Sequence, residues 1–503
     1  MTNASTILFL VVDDLGTADL GYTGSQIRTP TLDALAAGGT VLSSYYVQRA
    51  CTPTRAALLT GRYPLRYGFQ SGVLEPRKAY GLPLNETLVP QLLRSAGWAT
   101  HAIGKWHLGF YRWEHTPTFR GFDSYYGYYT GGEDYFSHVA FGGGYDLRLD
   151  GSPRCGAGCS RVLWEANGTY STHLFARRAV DVIRATPTAQ KLYLYLATQA
   201  VHCPAQAPPE YIAPYKFANP QRNVFAGMLA ALDEGIANVS AALRRAGRWE
   251  HSLVVVTADN GAPTTGCGGA QGGQNWPYRG GKCSAWEGGL RAVSFAHGPA
   301  LGVRAGATYD APAHAVDWLP TLLAFAGVDG GGGGGGGFAL DGISLRDALT
   351  GGGGGDDERE IVLEADPHAY PLDGGGWGGD QHATPYYALR RGRWKLLLGD
   401  PGQPGILDGY YCTGPPCDAA HNNTANASAH ATPLGASAVQ LFDVVADPHE
   451  ADDRAAARPD LVAAMTARIV AVNATAASSA QQGAADDPRG DPALHNGTEA
   501  PWL

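Results

Sequence analysis

Apolar residues along this chain follow two rhythms. Three short unbroken runs, Ile7–Val12, Leu192–Leu196 and Leu253–Val256, are rich in branched or aromatic side chains and give way at once to polar residues. Continuous apolarity over so few positions is what a strand buried on both faces requires. Elsewhere the pattern slows to helical spacing, over Thr31–Ala37, Thr87–Ala96, His173–Ala185 and Val224–Ala246, with Thr29-Pro30 reading as a helix start. Strands alternating with helices predict an α/β fold in which helices flank a large, mostly parallel sheet.

The texture changes after two glycine runs, Gly330–Gly337 and Gly351–Gly355, which read as low-complexity surface inserts. "YYALRRGRWKLLLG" (Tyr386–Gly399) and "VQLFDVV" (Val439–Val445) read as antiparallel strands, and Pro459–Val472 as a helix. The expected organisation is a large α/β domain over 1–375 carrying both inserts. A smaller C-terminal subdomain, a short antiparallel sheet and a helix, follows over 376–475. A polar, poorly ordered tail over 476–503 ends the chain.

The 503 residues are 44% hydrophobic, enough for a sizeable core. A formal net charge of -9 argues against a nucleic-acid binder, and no apolar run has the length of a membrane span. Eight Asn-x-Ser/Thr triplets, at Asn3, Asn85, Asn167, Asn238, Asn422, Asn426, Asn473 and Asn496, point to the secretory pathway. The opening "MTNASTILFLVVDD" has no signal-peptide pattern and puts the first strand almost at residue 1, so a missing leader is expected. Of eight cysteines, six form close pairs: Cys155/Cys159, Cys267/Cys283 and Cys412/Cys417. Disulfides are the reading in an oxidising compartment, and zinc sites the rival. Cys51 and Cys203 stand outside the pairs.

In open α/β sheets ligands bind beyond the carboxyl ends of the strands. After the first run come Asp13 and Asp14, and after the third Asp259 and Asn260. Either pair alone reads as turn-forming residues. Both together make four hard oxygen donors that would repel unless a cation, calcium or magnesium, joined them. His202 follows the second run, Lys105 and His107 follow Ala99–Ile103, and Lys282 lies in a glycine-rich loop after Asp259. A lone His or Lys in such a place is ordinary. Gathered beside a metal, they make a pocket for a multiply charged anion such as a sulfate or phosphate ester. The aromatics Trp113, Tyr125, Tyr126, Tyr128 and Tyr135 read first as packing and second as a sugar subsite.

The remaining motif is "CTPTRAALLTGR" from Cys51 to Arg62. It resembles the signature of the sulfatases, and "GKWHLG" resembles that family's second signature. Asp13-Asp14, the His202 loop, the "DNG" at Asp259–Gly261, Lys282 and the C-terminal "LRRGRWKLLLG…QLFDVVADPHEADD" follow in the family's order. The stretches "LYLATQAVHCPAQAP" and "GGQNWPYRGGKCSAWEGGLR" are most similar to the arylsulfatase B group (N-acetylgalactosamine-4-sulfatases) and its arylsulfatase I and J relatives. The resemblance implies an alkaline-phosphatase-like sandwich and a sulfuric ester hydrolase acting on aryl sulfates or sulfated sugars. It implies that a formylglycine-generating enzyme converts Cys51 to formylglycine (3-oxoalanine), whose hydrate attacks sulfur. One calcium ion would be held by Asp13, Asp14, Asp259, Asn260 and the modified Cys51. Arg55 would favour the alkoxide, Lys105 and Lys282 would hold sulfate oxygens, and His202 would protonate the departing alcohol. His107 would take the proton that lets the adduct collapse and release sulfate. Secretion or a lysosomal-type compartment follows from the same resemblance. Thr54 stands where serine is commoner, but keeps the hydroxyl. A phosphoester hydrolase and a non-catalytic calcium-containing glycan-binding relative are the alternatives.

Overall fold

The three apolar runs are strands, and they are neighbours. In a computed structural model describing residues 2–152, 156–264, 271–329, 339–353, 355–366, 386–399, 401, 439–480 and 484–503, Thr6–Val12 pairs in parallel with Leu192–Ala197 and with Ser252–Ala258. Leu192–Ala197 pairs in turn, also in parallel, with Ala99–Lys105. Every residue of Thr6–Val12, Leu192–Ala197 and Ser252–Ala258 is buried, which is why these strands carry no polar alternation. Among the described residues the sheet has ten strands. It is mixed: Ser294–His297 runs antiparallel to Ser252–Ala258 on one side, and Arg148–Asp150 and Ser160–Val162 are antiparallel at the other edge. The parallel centre aligns four carboxyl ends at one level, with Val12 opposite Ala258, Val11 opposite Ala197 and Gly104 opposite Ala197.

Two helix groups flank this sheet. Pro220–Arg245 packs on Ser171–Ala185 and Pro30–Ala37, and Cys51–Thr60 packs with Val89–Ser95 and Trp318–Ala326. Pro220–Arg245 is long and apolar enough to cross a membrane by length and composition, contrary to the sequence expectation. However, 67% of its apolar window is buried inside the fold, as in a core helix.

The smaller unit is a four-stranded antiparallel sheet of Glu360–Asp366, Tyr386–Arg391, Trp394–Leu398 and Val439–Asp443, with Pro459–Asn473 packed against it. Its first strand precedes the expected boundary, and that boundary at 375/376 lies outside the described residues. A buried polar network ties this unit to the large domain. Lys395 Nζ lies 3.0 Å from Glu287 and 2.8 Å from Glu450. The Tyr46 hydroxyl donates to Glu287 at 2.6 Å and accepts from Arg390 at 2.6 Å. Burial pushes the Glu450 carboxyl up to about 7, against the pull of Lys395.

The tail differs from its expectation. Residues 484–503 lie on the large domain: Trp502 and Leu503 donate backbone hydrogen bonds to Tyr111 O, and Trp502 packs edge-on to Phe110. Lys78 pairs with Asp486 at 2.8 Å, and Thr498 bridges Tyr145. Polar composition misled because the anchoring lies in single residues and backbone pairing rather than in a periodic apolar face. The insert Gly330–Gly337 lies outside the described residues, while Gly351–Gly353 are exposed.

Candidate active site

Helix Cys51–Thr60 enters the site with its N-terminus, and all ten of its residues are buried. Pro53 falls in the first turn, where its missing N–H costs nothing. Gly61, in the left-handed region at φ 67°, stops the helix. Thr54 Oγ1 donates to Gln48 O and accepts from Gln48 N, so its hydroxyl fixes the approach to the helix. Cys51 therefore lies at a helix start that favours negative charge, although burial pushes its thiol up to about 12.

Around it stand the groups from the aligned strand ends. Cys51 Sγ is 3.6 Å from Asp13 Oδ1, and Lys105 Nζ is 2.7 Å from Asp13 Oδ2. Burial alone would raise Asp13, but the charges of Lys105, His202 and Arg55 outweigh it and hold the carboxyl at about 2. Asp14, at φ 61°, accepts from Asn260 at 2.7 Å and pairs with Lys282 at 2.7 Å. Arg55 grips Asp259 Oδ2 through two nitrogens, at 3.1 and 2.7 Å.

The two histidines have opposite character. His107 Nε2 is 3.0 Å from the Leu74 carbonyl, which can only accept, so Nε2 carries the proton and Nδ1 is left as a base. Burial, then the charges of Lys105 and Arg55, keep this ring well below the ordinary imidazole value. His202 Nδ1 donates to Cys203 O at 2.8 Å, and its Nε2 is 3.8 Å from Asp14 Oδ2. Burial would lower it, but the Cys203 thiol group and Asp13 raise it, keeping an N–H available for donation. The Tyr135 hydroxyl, between Gln199 O and His202 O at 2.9 and 2.8 Å, holds this loop. That role had no motif in the sequence.

The donor set leaves room for a metal. Asp14 Oδ2 and Asn260 Oδ1 are buried without hydrogen-bond partners. Asp13, Asp14, Cys51 and His202 bring ligand-capable atoms within 4.8 Å of one another. Asp259 is outside that group, with Oδ1 accepting from Asp14 N at 3.2 Å and Oδ2 held by Arg55. Arg55, Lys105 and Lys282 already balance the three carboxylates. A divalent ion would make the cluster net positive, which suits an anionic substrate and an attacking oxyanion. The residues fit an oxygen-loving cation.

Other readings fall into place around the site. Tyr125, Tyr128 and Tyr135 are core residues, and Trp113 and Tyr126 are half-buried. Cys159 and Cys283 are disulfide-bonded, while Cys51 and Cys203 are free thiols. Cys155, Cys267, Cys412 and Cys417 lie outside the described residues.

Comparison with known proteins agrees with this geometry. A family profile described as Sulfatase matches residues 5–328. Mouse arylsulfatase J is 36% identical over 512 residues, covering 100% of this chain and 81% of its own length. Human N-acetylgalactosamine-6-sulfatase is 32% identical over 373 residues, 70% of this chain and 66% of that protein. Among solved structures, Ps i-CgsB in complex with k-i-k-neocarrahexaose superposes with a TM-score of 0.75 at 28% identity, over 95% of this chain and 94% of that one.

Proposed function

Since the chain belongs to the sulfatase family and is a sulfate ester hydrolase, we propose that it removes sulfate from sugars of a polysaccharide or glycosaminoglycan, using Cys51 converted to formylglycine and one calcium ion. The observation that carries this reading is the convergence of Cys51, at a buried helix N-terminus, with Asp13, Lys105, Lys282 and two histidines of opposite character. A relative named for N-acetylgalactosamine 6-sulfate and a structural neighbour bound to a neocarrahexaose support the sugar substrate.

The hydrate of formylglycine supplies an attacking oxygen and, in its second hydroxyl, a built-in route to release. A calcium ion would be held by Asp13, Asp14, Asp259, Asn260 and the modified Cys51, and would supply positive charge opposite the substrate anion and the attacking oxygen. The chain's own side chains do the rest. Arg55 bonds to Asp259 and, with Lys105 and His202, helps hold the Asp13 carboxyl ionised beside residue 51. Lys105 and Lys282 hold two sulfate oxygens and oppose the charge that builds on them. His202 Nε2–H protonates the departing alcohol oxygen, and neutral His107 Nδ1 accepts the proton at residue 51.

The partner in maturation would be a formylglycine-generating enzyme of the secretory pathway. Disulfides at Cys159 and Cys283 and exposed sequons at Asn3, Asn85, Asn167, Asn238 and Asn496 support that route. The test is mass spectrometry of the residue-51 peptide from protein made in a secretory host, with Cys51→Ser assayed in parallel on an aryl sulfate. Active protein should carry the aldehyde, and the serine variant should fold without turning over. An unmodified thiol in active enzyme would overturn the mechanism.

A further inference from the structure

Thr52 lies in the first turn of helix Cys51–Thr60, yet its hydroxyl serves two other segments. Thr52 Oγ1 donates to His107 O at 3.1 Å and accepts from Leu74 N at 3.1 Å. The circle closes on the imidazole, where His107 Nε2–H donates to Leu74 O at 3.0 Å. One hydroxyl therefore holds both the backbone that carries the ring and the residue whose carbonyl fixes the ring's proton.

All three residues are buried, so without the hydroxyl a backbone N–H and a backbone C=O would lose their partner away from water. His107 stands at φ 56°, in the left-handed region that residues other than glycine rarely adopt. Its N donates to Tyr129 O at 3.1 Å, which fixes one side of that residue, and Thr52 fixes the other. The ring also lies against Gly131, where a methyl group would come within 2.7 Å of Cε1 and 2.8 Å of Nε2. Nδ1 is buried with no hydrogen-bond partner, the state that a proton acceptor needs.

We infer that Thr52 is a positioning residue for the release of sulfate: its hydroxyl keeps His107 Nε2–H on the Leu74 carbonyl, so that Nδ1 is the nitrogen left to take the proton at residue 51. This rests on the reading of His107 as that acceptor. Thr52→Val removes the hydroxyl at nearly constant shape, Thr52→Ser keeps it, and Thr52→Ala replaces the Val variant should that one not fold. Because residue 52 adjoins the cysteine to be converted, rates on 4-nitrophenyl sulfate are taken per aldehyde-bearing chain, counted by mass spectrometry. In Val, the first release of nitrophenol should keep the wild-type rate while steady-state kcat falls about tenfold to a hundredfold, the scale of a misplaced general base. KM should not rise, and Ser should restore kcat. Independently of turnover, nitrogen NMR of the histidine-labelled, unconverted chain should show His107 as the Nε2–H tautomer in wild type and Ser, and mixed with the Nδ1–H form in Val. A Val variant with wild-type kcat or an unchanged tautomer, a Ser variant no better than Val, or a first release slowed as much as the steady state would each overturn the positioning role alone. So would Val and Ala variants that both fail to fold while Ser folds, since the hydroxyl would then be a folding element. A His107→Ala variant with wild-type turnover overturns the acceptor reading and this inference with it.

Discussion

Replacing Lys105 by methionine removes one charge from the centre of the site with little change of shape. Lys105 Nζ and Asp13 Oδ2 are 2.7 Å apart, with both side chains fully buried. Lys105 is the strongest of the cations that draw Asp13 down from its ordinary 3.8 to about 2, a net benefit of roughly 2 kcal/mol at neutral pH. Without it the burial cost of Asp13 is opposed only by weaker partners, and losing one member of a buried pair costs about 3–5 kcal/mol. The stability gap between wild type and Lys105→Met should therefore be about 2–5 kcal/mol at pH 7. The sign with pH follows. The wild-type contribution is present above pH 3.8 and lost as pH falls through about 2. In the variant Asp13 takes up its proton at higher pH, so the gap should narrow as pH drops from 7 toward 4. Turnover of an aryl sulfate should fall about 10²–10³-fold, as when one donor to a developing oxyanion is lost. Thermal melts at the two pH values, with kcat at each, make the assay. A gap that stays constant from pH 7 to 4, or turnover within a few-fold of wild type, would refute the reasoning.

Two further outcomes are expected. Chelation should lower the melting temperature, and calcium should restore it, by about 3 kcal/mol at a hundredfold excess over Kd; metal analysis finding zinc after expression in calcium-rich medium would instead favour a phosphoester hydrolase. Glu450, pushed up to about 7 by burial, keeps its proton in the folded chain to higher pH than in the unfolded one. Its stabilising effect is then full below pH 4.5 and lost as pH rises through 7, so the wild type should melt higher at pH 5 than at 7.5, and Glu450→Gln should flatten that difference.

Much of the fold was legible because buried central strands have no polar alternation to obscure them: Thr6–Val12, Leu192–Ala197 and Ser252–Ala258 stand one residue or so from their sequence bounds. The site was legible for a related reason. Residues that follow parallel strands directly, Asp13, Asp14, Asp259 and Asn260, must meet if the strands are neighbours. Tyr135 was not legible in those terms. Its position depends on contacts with Gln199, His202 and Gln206, 64 to 71 residues away, that no local pattern encodes. The antiparallel edges were missed because strands of three residues, such as Arg148–Asp150, are too short to show a period.

The burial of helix Cys51–Thr60 also sets a clock. With Cys51 only 2% exposed, the folded protein buries its thiol, so the conversion proposed for it would have to occur on unfolded chain. The helix gains its complete surroundings only once Trp318–Ala326 has been made and packed on it, about 260 residues later, a delay on the order of 10–50 s at ordinary synthesis rates. On that proposal, a chain that folds before it is modified would be well packed and permanently inactive, and the yield of working enzyme would be decided by a race during synthesis rather than by the stability of the product.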